Sequence, residues 1–212
     1  DAPSGRAPAQ ITGRIELRDL TFSYDDTLQP ALKGVNLTIV PGESISIMGR
    51  VGCGKTTLLK QIVRLVDTPR SSVLIDGHDV HDYPLAQLRS QIAMVPQDTF
   101  LFGEPLKDNL TYDDPNRELD RIWAAATSAD LKTTIKDFPE QLDTIVGERG
   151  VTLSGGQKQR ATLARGLIRE SPVLILDDCF SSVDTETEEH ILSELSRLRR
   201  RQTTILVSHR VS

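Results

Sequence analysis

The sequence predicts an α/β fold with a mostly parallel core sheet, an N-terminal antiparallel β subdomain and an inserted α-helical subdomain. Three patterns support this fold class. In the first, apolar and polar residues alternate within residues 14–39. In the second, a strand, a glycine loop and a helix follow one another from Ile45, and the third lies further along the chain. Between residues 98 and 169 strand patterns are scarce and short helical patterns dominate. A length of 212 residues fits one domain carrying such an insertion.

The composition excludes several classes of protein. With 25 basic and 30 acidic residues the net charge is −5, which argues against a general nucleic-acid binder. A hydrophobic content of 38% argues against disorder, and two cysteines cannot form a disulfide framework, so a reducing compartment fits best. We find no signal peptide and no apolar run near the ~20 residues of a membrane span. Because the first residue is aspartate, we interpret the chain as a fragment of a longer protein.

The first 40 residues predict a linker followed by a small antiparallel sheet. Residues 1–13 are rich in Pro, Ala and Gly, which is typical of a linker. Residues 14–20 alternate between apolar and polar, as a half-buried strand does, and residues 35–39 repeat the pattern before the Pro41-Gly42 turn.

From residue 45 the pattern changes to that of a parallel α/β core. Residues 45–48 form a short apolar run that ends in glycines, and a helical stripe from Leu58 to Val66 follows. The continuous apolar run 173–176 is typical of a parallel strand buried on both faces, and residues 204–207 are another candidate strand. Within the predicted insertion, helices are expected at 119–128 and 155–169.

The sharpest motif is the segment 49–56, GRVGCGKT, which matches the phosphate-loop pattern G-x-x-x-x-G-K-[ST]. Glycines let backbone N–H groups turn toward phosphate oxygens, and the start of the next helix adds its positive dipole end. Lys55 can reach the β- and γ-phosphates, and the Thr56 hydroxyl can bind Mg²⁺. A glycine turn that merely joins a strand to a helix is the alternative, but the flanking strand and helix favour a P-loop NTPase core.

Two further segments have both a structural and a functional interpretation. Asp177 and Asp178 follow a predicted strand, where a carboxylate can bind Mg²⁺, although such residues usually only cap a strand end. The segment LSGGQ at 153–157 contains a Ser-x-x-Gln capping box, which explains it as a helix start. Two adjacent glycines are nevertheless poor helix formers, and they suit a helix start that an anion approaches closely. Local physics leaves these two interpretations of LSGGQ open.

Taken with four other segments, these motifs make residues 14–212 resemble the nucleotide-binding domain of an ABC transporter of the exporter type. The other segments are the Q-loop-like Val95-Pro96-Gln97 followed by Leu101-Phe102, the X-loop-like Gly147-Glu148-Arg149-Gly150, the D-loop-like Ser181-Ser182-Val183-Asp184 and the switch-like Ser208-His209-Arg210. Each is weak alone, but together, in this order and at this spacing, they are very specific. The sequence ends three residues after His209, so we expect the last strands and helices that are usual in that family to be missing or unresolved here.

The resemblance implies that two such domains stack head to tail, each ATP lying between one chain's phosphate loop and the other chain's LSGGQ. It implies ATP as substrate and Mg²⁺ as cofactor. Its partners would be a second nucleotide-binding domain, in a heterodimer or a homodimer, and the transmembrane domains of an exporter at the cytoplasmic face of the cell membrane, with no nucleic acid. The linker 1–13 would then come from a membrane domain, and the helical subdomain would span about residues 98–170.

The family pattern carries over to individual residues. Tyr24 matches the residue that stacks on adenine, His209 would contact the γ-phosphate, and Glu148 with the Q-loop would face the coupling helices of the membrane domains. The phosphates would be held by Gly49, Arg50, Val51, Gly52, Cys53, Gly54, Lys55, Thr56 and Thr57. The Mg²⁺ ligands would be Thr56, Gln97 and Asp177, and the partner's nucleotide would be bound by Ser154, Gly155, Gly156 and Gln157.

One position departs from the family pattern. The family has a glutamate after the Mg²⁺ aspartate, where it polarises the attacking water, and this chain has Asp178. The segment 176–184 resembles the degenerate member of bacterial heterodimeric exporters. We therefore expect an ABC-type ATPase whose intrinsic activity is low, with Asp178, Gln97 and His209 as the candidate catalytic residues.

Other functions fit the sequence less well. His78 and His81 have a metal-like spacing but no further His or Cys nearby, which favours a surface loop. Arg197 and the arginines at 199–201 share a predicted helix with acidic residues, so a charged helix face is favoured over a nucleic-acid patch. A GTPase would need an Asn-Lys-x-Asp motif, which is absent. A soluble ABC ATPase and a regulatory, non-hydrolysing nucleotide-binding module are the alternatives that stay open.

Overall fold

The computed structural model describes residues 7–25, 29–147, 150–198 and 201–208. Two compact units divide the chain: the first lies within 1–93, 171–177 and 201–212, and the second within 94–170 and 178–200. Two residues of the predicted site, Glu148 and His209, lie outside the described residues.

The first unit contains the antiparallel sheet that the N-terminal alternation predicts. Its four strands are β1 (Ile15–Phe22), β2 (Leu32–Ile39), β4 (Val73–Ile75) and β5 (His78–Asp79), in the order β2-β1-β4-β5. Ile15 of β1 is opposite Ile39 on one side and Ile75 on the other, and all three side chains are fully buried. The alternating pattern therefore places one face of this sheet on the core.

A second sheet is parallel and supplies the strand ends at which the candidate site is built. Its strands are β3 (Ser44–Met48), β6 (Ile92–Val95), β7 (Val173–Asp177) and β8 (Thr203–Ser208), in the order β3-β8-β7-β6. Strand β8 pairs in parallel with both β3 and β7. Every residue of β7 is buried, as the continuous apolar run predicts for a strand covered on both faces.

Two helices belong to the first unit, α1 (Lys55–Ile62) and α2 (Leu85–Gln91). Helix α1 is shorter than its apolar stripe, which continues to Val66. It ends because Arg64 adopts a left-handed conformation with φ of 49°, and the N–H of Leu65 donates to the carbonyl of Lys60 at 2.9 Å. This geometry is a Schellman-type end, which usually carries a glycine, so the sequence gives no sign of it.

The described part of the predicted linker is attached to the first unit. The Thr12 N–H and hydroxyl donate to the two Asp76 carboxylate oxygens at 2.6 Å each, and the N–H of Arg14 donates to Asp76 Oδ1 at 2.9 Å. On α2, Gln87 Nε2 donates to the Pro8 carbonyl at 2.6 Å, and Gln91 accepts from the N–H of Ile11 at 2.7 Å. The linker assigned to residues 1–13 stays a prediction, but residues 8–14 are held by side chains of the unit.

The second unit is mainly helical. Its helices are α3 (Leu106–Leu110), α4 (Leu119–Ser128), α5 (Lys132–Lys136), α6 (Gly155–Leu167) and α7 (Thr185–Leu198). Helix α4 has the predicted bounds, and α6 ends two residues earlier than expected. Helix α6 packs against both α3 and α4, and it carries buried residues such as Leu163 and Leu167. Among the described residues, no helix combines the length and apolar character needed to cross a bilayer.

Candidate functional site

The glycine loop connects β3 to α1 and is shaped by two left-handed glycines. Gly52 has φ of 80° and Gly54 has φ of 93°, a region that residues with a side chain rarely adopt. Gly54 is also the residue just before α1, and a Cβ there would lie 2.4 Å from the carbonyl oxygen of Ala31. Position 54 therefore requires glycine for both conformation and space, as the motif predicts.

Lys55 closes this loop from the inside. Its Nζ donates to the carbonyl of Gly49 at 2.7 Å and to that of Arg50 at 2.9 Å, and it lies 3.8 Å from Cys53 Sγ. Only 7% of Lys55 is exposed. The ammonium group thus sits within the loop, where a charged nitrogen can meet the oxygens of a bound phosphate.

Thr56 and Asp177 lie together, as expected of two residues that share a cation. Thr56 is in the first turn of α1 and Asp177 is the last residue of β7; the Thr56 hydroxyl donates to Asp177 Oδ1 at 3.2 Å. Asp177 is 2% exposed, so its carboxylate is held away from bulk water. A hydroxyl and a carboxylate are hard oxygen donors of the kind that Mg²⁺ prefers, and this pair fits that ion.

Tyr24 lies beside the same loop and helix. Its hydroxyl is 3.2 Å from Thr57 Oγ1, in the first turn of α1, and its ring meets that of Phe22 edge-on with centroids 5.0 Å apart. The residue is 38% exposed, so part of the ring is accessible to a ligand. Its stacking on a base stays a prediction. The contact with Thr57 shows that the Tyr24 hydroxyl also has a hydrogen-bond partner in the first turn of α1.

In the second unit, Gln97 and Asp178 contact each other. The Gln97 side-chain nitrogen donates to Asp178 Oδ2 at 3.3 Å. Gln97 follows β6 and is exposed, whereas Asp178 is only 9% exposed. Asp178 also has a left-handed backbone with φ of 47°, which costs an L-residue on the order of 1–2 kcal/mol and is often found at functional sites.

The LSGGQ segment begins α6 with the capping box that the sequence predicts. The N–H of Gln157 donates to Ser154 Oγ at 3.2 Å, and the N–H of Ser154 donates to Gln157 Oε1 at 2.9 Å. The second of the two glycines has a further reason in the structure. A Cβ at Gly156 would lie 2.8 Å from the carbonyl oxygen of Ser182, so this glycine is needed for close packing.

Sequence reasoning missed two buried polar residues of the second unit. Gln159 is one helical turn into α6 and bonds to the 181–182 loop. Asn109 lies in α3, and its side-chain nitrogen donates to three backbone carbonyls of residues 102–105, which precede the helix. Asn109 also receives a hydrogen bond from Arg165, whose burial lowers its pKa from the ordinary value. The sequence pattern could have indicated Gln159, because it occupies a position of the apolar stripe of α6 that continues through Leu163. A buried polar residue is unusual at such a position.

The histidine pair shows no metal-like arrangement. His78 belongs to β5, and His81 Nδ1 lies 2.7 Å from Asp79 Oδ1. Hydrogen bonds from the backbone N–H groups of His81 and Ser71 outweigh the effect of burial and lower the pKa of Asp79. Across residues 7–25, 29–147, 150–198 and 201–208, no three His, Cys, Asp or Glu side chains come together as a metal site would require.

This geometry defines a class of protein. A glycine loop between a parallel strand and a helix, closed by lysine and followed by a threonine that pairs with a strand-end aspartate, is the phosphate and Mg²⁺ arrangement of P-loop nucleotide-binding proteins. A family model described as "ABC transporter" matches residues 32–181. The chain belongs to the ABC transporter family.

Relatives and a solved structure agree with that family. The chain is 42% identical over 203 residues to an "ATP-dependent lipid A-core flippase" of Syntrophus aciditrophicus, covering 96% of this chain and 33% of the relative. It is 41% identical over 212 residues to the "Putative multidrug export ATP-binding/permease protein YgaD" of Bacillus subtilis, covering 100% of this chain and 37% of that protein.

The solved structure is that of a bacterial Atm1-family ABC exporter with ATP bound. It matches with a TM-score of 0.90 and 33% identity, covering 99% of this chain and 36% of the other. The chain therefore spans about a third of the length of these relatives. The antiparallel sheet, the parallel sheet and the helices agree with the α/β class predicted from sequence.

Proposed function

We propose that this chain is the ATP-binding domain of an ABC exporter, at the cytoplasmic face of the cell membrane. Two such domains close around ATP and Mg²⁺, and their closing and opening drive transmembrane domains that export a substrate. Catalysis is by positioning and by electrostatic stabilisation of the transferred phosphoryl group. The partner is a second nucleotide-binding domain, in a heterodimer or, alternatively, in a homodimer.

The observation that carries this proposal is the Thr56–Asp177 pair beside the loop closed by Lys55. The hydroxyl and carboxylate oxygens are 3.2 Å apart and come from different elements, α1 and β7. When Mg²⁺ is bound, it neutralises phosphate charge, and Thr56 and Asp177 would hold it. Lys55 supplies a fixed positive charge to the phosphates, and the Gly52 and Gly54 turns aim backbone N–H groups at them.

We further propose that hydrolysis at this chain's own loop is slow because of Asp178. Aspartate is shorter than glutamate by one methylene, about 1.5 Å of bond length. A general base must come within hydrogen-bond reach of its water and contributes about 10²–10⁴-fold to the rate, and a misplacement of about 1 Å can cost 10²-fold. Here the Asp178 carboxylate receives a hydrogen bond from Gln97, which engages one of its oxygens.

Nucleotide binding and turnover test this proposal separately. ATP affinity is measured by calorimetry with and without Mg²⁺, and phosphate release is measured on the domain assembled with its partner. Asp177→Asn should weaken Mg²⁺-dependent binding. Asp178→Glu should raise hydrolysis about tenfold or more, and Asp178→Ala should change an already low rate little. Binding without Mg²⁺ dependence would overturn the metal assignment, and fast hydrolysis that Asp178→Ala abolishes would overturn the degenerate-site proposal.

A groove in the second unit supports the proposed contact with transmembrane domains. It has a volume of about 270 Å³ and begins at Pro96 and Asp98, on either side of the Q-loop glutamine. Exposed aromatic rings of Phe100 and Tyr112 line it, together with Arg165. Exposed apolar patches beside charged groups are typical of protein contact surfaces. We assign this groove to the coupling segments of the membrane domains, and Tyr112→Ser should reduce transport more than ATP binding.

The second candidate function is a regulatory module that binds ATP without hydrolysing it. Asp178 is the observation that favours it, since loss of the base leaves the binding residues intact. The two functions differ in one measurement. A regulatory module would show ATP-dependent association with its partner while Asp178→Glu restored no hydrolysis at this site.

A further inference from the structure

Gln159 connects helix α6 to the loop at residues 181–182, and both belong to the second unit. It is the fifth residue of α6 and is only 4% exposed. Its Nε2 donates to Ser181 Oγ at 2.7 Å, and its Oε1 accepts from the Ser182 N–H at 2.7 Å. Both ends of one buried amide are therefore used on two consecutive residues of the 181–182 loop, which fixes the rotamer of Gln159 and the path of the loop.

The first turn of α6 packs against the same loop. A Cβ at Gly156 would meet the Ser182 carbonyl oxygen at 2.8 Å, and one at Gly155 would meet the Ser182 side chain at 3.3 Å. Because the helix start carries no side chain here, Ser182 lies directly on its backbone. The hydrogen bonds of Gln159 and this contact hold the LSGGQ turn and the loop together.

The 181–182 loop lies between the candidate catalytic residue Asp178 and the next helix, α7. Ser181 is three residues after Asp178, and Asp184 at the other end accepts a hydrogen bond from the Thr187 N–H at 2.9 Å in the first turn of α7. Only Cys179 and Phe180 lie between Asp178 and Ser181, so the backbone path from this loop to Asp178 is short.

We propose that Gln159 is a positioning residue that couples the two nucleotide sites of the exporter, an inference that rests on the proposed function. In that function the LSGGQ turn serves the partner's ATP, whereas Asp177 and Asp178 serve the ATP of this chain. The Gln159 side chain connects the LSGGQ turn to the 181–182 loop that follows these two aspartates. When the partner's nucleotide engages the start of α6, the amide carries that displacement to the loop behind Asp178.

A purely structural role is the competing explanation. The buried side-chain amide of Gln159 requires hydrogen-bond partners, and its bonds to Ser181 and Ser182 would then only stabilise the fold. The two explanations differ in what the residue changes. A structural role alters the free energy of unfolding, whereas coupling alters the ATP dependence and turnover of molecules that are fully folded.

The test uses the intact transporter that carries this chain and compares four variants. Gln159→Met removes both hydrogen bonds at similar volume. Gln159→Glu keeps an acceptor for the Ser182 N–H and can accept from the Ser181 hydroxyl, so it is the conservative variant. Ser181→Ala removes one partner. Gln61→Met is the matched control, because Gln61 is fully buried and, within the part of the chain that the structure describes, its amide has no hydrogen-bond partner.

Three quantities are measured on folded protein: ATP affinity, maximal ATP turnover and the Hill coefficient of its ATP dependence. For Gln159→Met we expect turnover to fall about tenfold, because the LSGGQ turn that completes the partner's site loses its connection to the 181–182 loop and is misplaced, with ATP affinity within about threefold of the parent. The Hill coefficient should fall toward 1, and Gln159→Glu should restore most of both losses. Ser181→Ala should have a smaller effect that disappears in the Gln159→Met background.

Two outcomes would overturn the coupling role. One is a Gln159→Met protein that unfolds more easily but keeps the turnover and Hill coefficient of the parent. The other is a Gln61→Met protein with the same turnover and Hill losses as Gln159→Met. Failure of the proposed function itself looks different, because the unmodified transporter would then neither bind nor hydrolyse ATP.

Discussion

Gly155 and Gly156 should respond differently to the same substitution, although they are neighbours in the first turn of α6. At Gly156 an alanine Cβ would lie 2.8 Å from the backbone carbonyl oxygen of Ser182, which cannot rotate away. At Gly155 it would lie 3.3 Å from Cβ and 3.4 Å from Oγ of the Ser182 side chain, which is ordinary or slightly tight contact.

The magnitudes follow from two opposing effects. Forcing a methyl group into a packed contact costs about 1–3 kcal/mol, and alanine in place of glycine gains at most about 1 kcal/mol of helix propensity. Gly156→Ala should therefore lower the free energy of unfolding by about 1–2 kcal/mol. Gly155→Ala should change it by no more than about 0.5 kcal/mol, because only the propensity gain and a mild contact are involved.

Urea unfolding followed by circular dichroism measures both variants against the parent. Equal free energies of unfolding for the two variants, or a less stable Gly155→Ala, would refute the packing argument. In that case the glycine at 156 would be explained by anion approach alone, as one interpretation of the sequence has it. ATP hydrolysis by the assembled dimer then tests that interpretation, since a methyl group on either glycine would block an approaching phosphate.

Three further predictions concern single side chains. Tyr24→Ala should weaken ATP binding by about 1–3 kcal/mol in calorimetry if the ring stacks on the base, and Tyr24→Phe should be tolerated, because stacking needs the ring and not the hydroxyl. Unchanged affinity for Ala would reject the stacking role. Alkylation of the exposed Cys53 should block ATP binding and be prevented by ATP–Mg²⁺, whereas the buried Cys179 should stay unlabelled in mass spectra. Equal labelling of Cys53 with and without ATP–Mg²⁺ would contradict a phosphate in this loop. The hydrogen bond from the Thr187 N–H holds the pKa of Asp184 below its ordinary 3.8, so the carboxylate stabilises the fold above that pH and loses this effect as the pH falls through the folded pKa. In urea unfolding, Asp184→Asn should therefore lose less stability below pH 4 than the parent does, and parallel pH curves for the two proteins would contradict this.

The sequence predicts best those parts in which local chemistry and burial agree. Strand β7 is recognisable because all its residues are apolar up to Asp177, and the phosphate loop because glycine is the residue that fits φ of 93° at Gly54. The adjacency of Thr56 and Asp177 follows from the same logic, since a loop after β3 and the end of β7 lie at one edge of a parallel sheet.

Other features depend on tertiary contacts that no local pattern reports. The early end of α1 rests on a left-handed Arg64, a conformation that the residue type does not suggest. Gln159 looks like an ordinary polar residue of a helix, and its role appears only when the 181–182 loop is placed against α6. The Gly156 contact with Ser182 has the same origin, because the two residues are 26 positions apart in the sequence.

The attachment of residues 8–14 has a mechanical consequence. Gln87 and Gln91 lie one turn apart on α2 and hold the backbone of this segment, and Asp76 holds it again at Thr12 and Arg14. A pull on the chain before residue 8 would load these hydrogen bonds one after another along the segment. The load would reach the first unit at helix α2 and at the end of β4. The segment would therefore transmit tension to that unit with little movement of its own backbone.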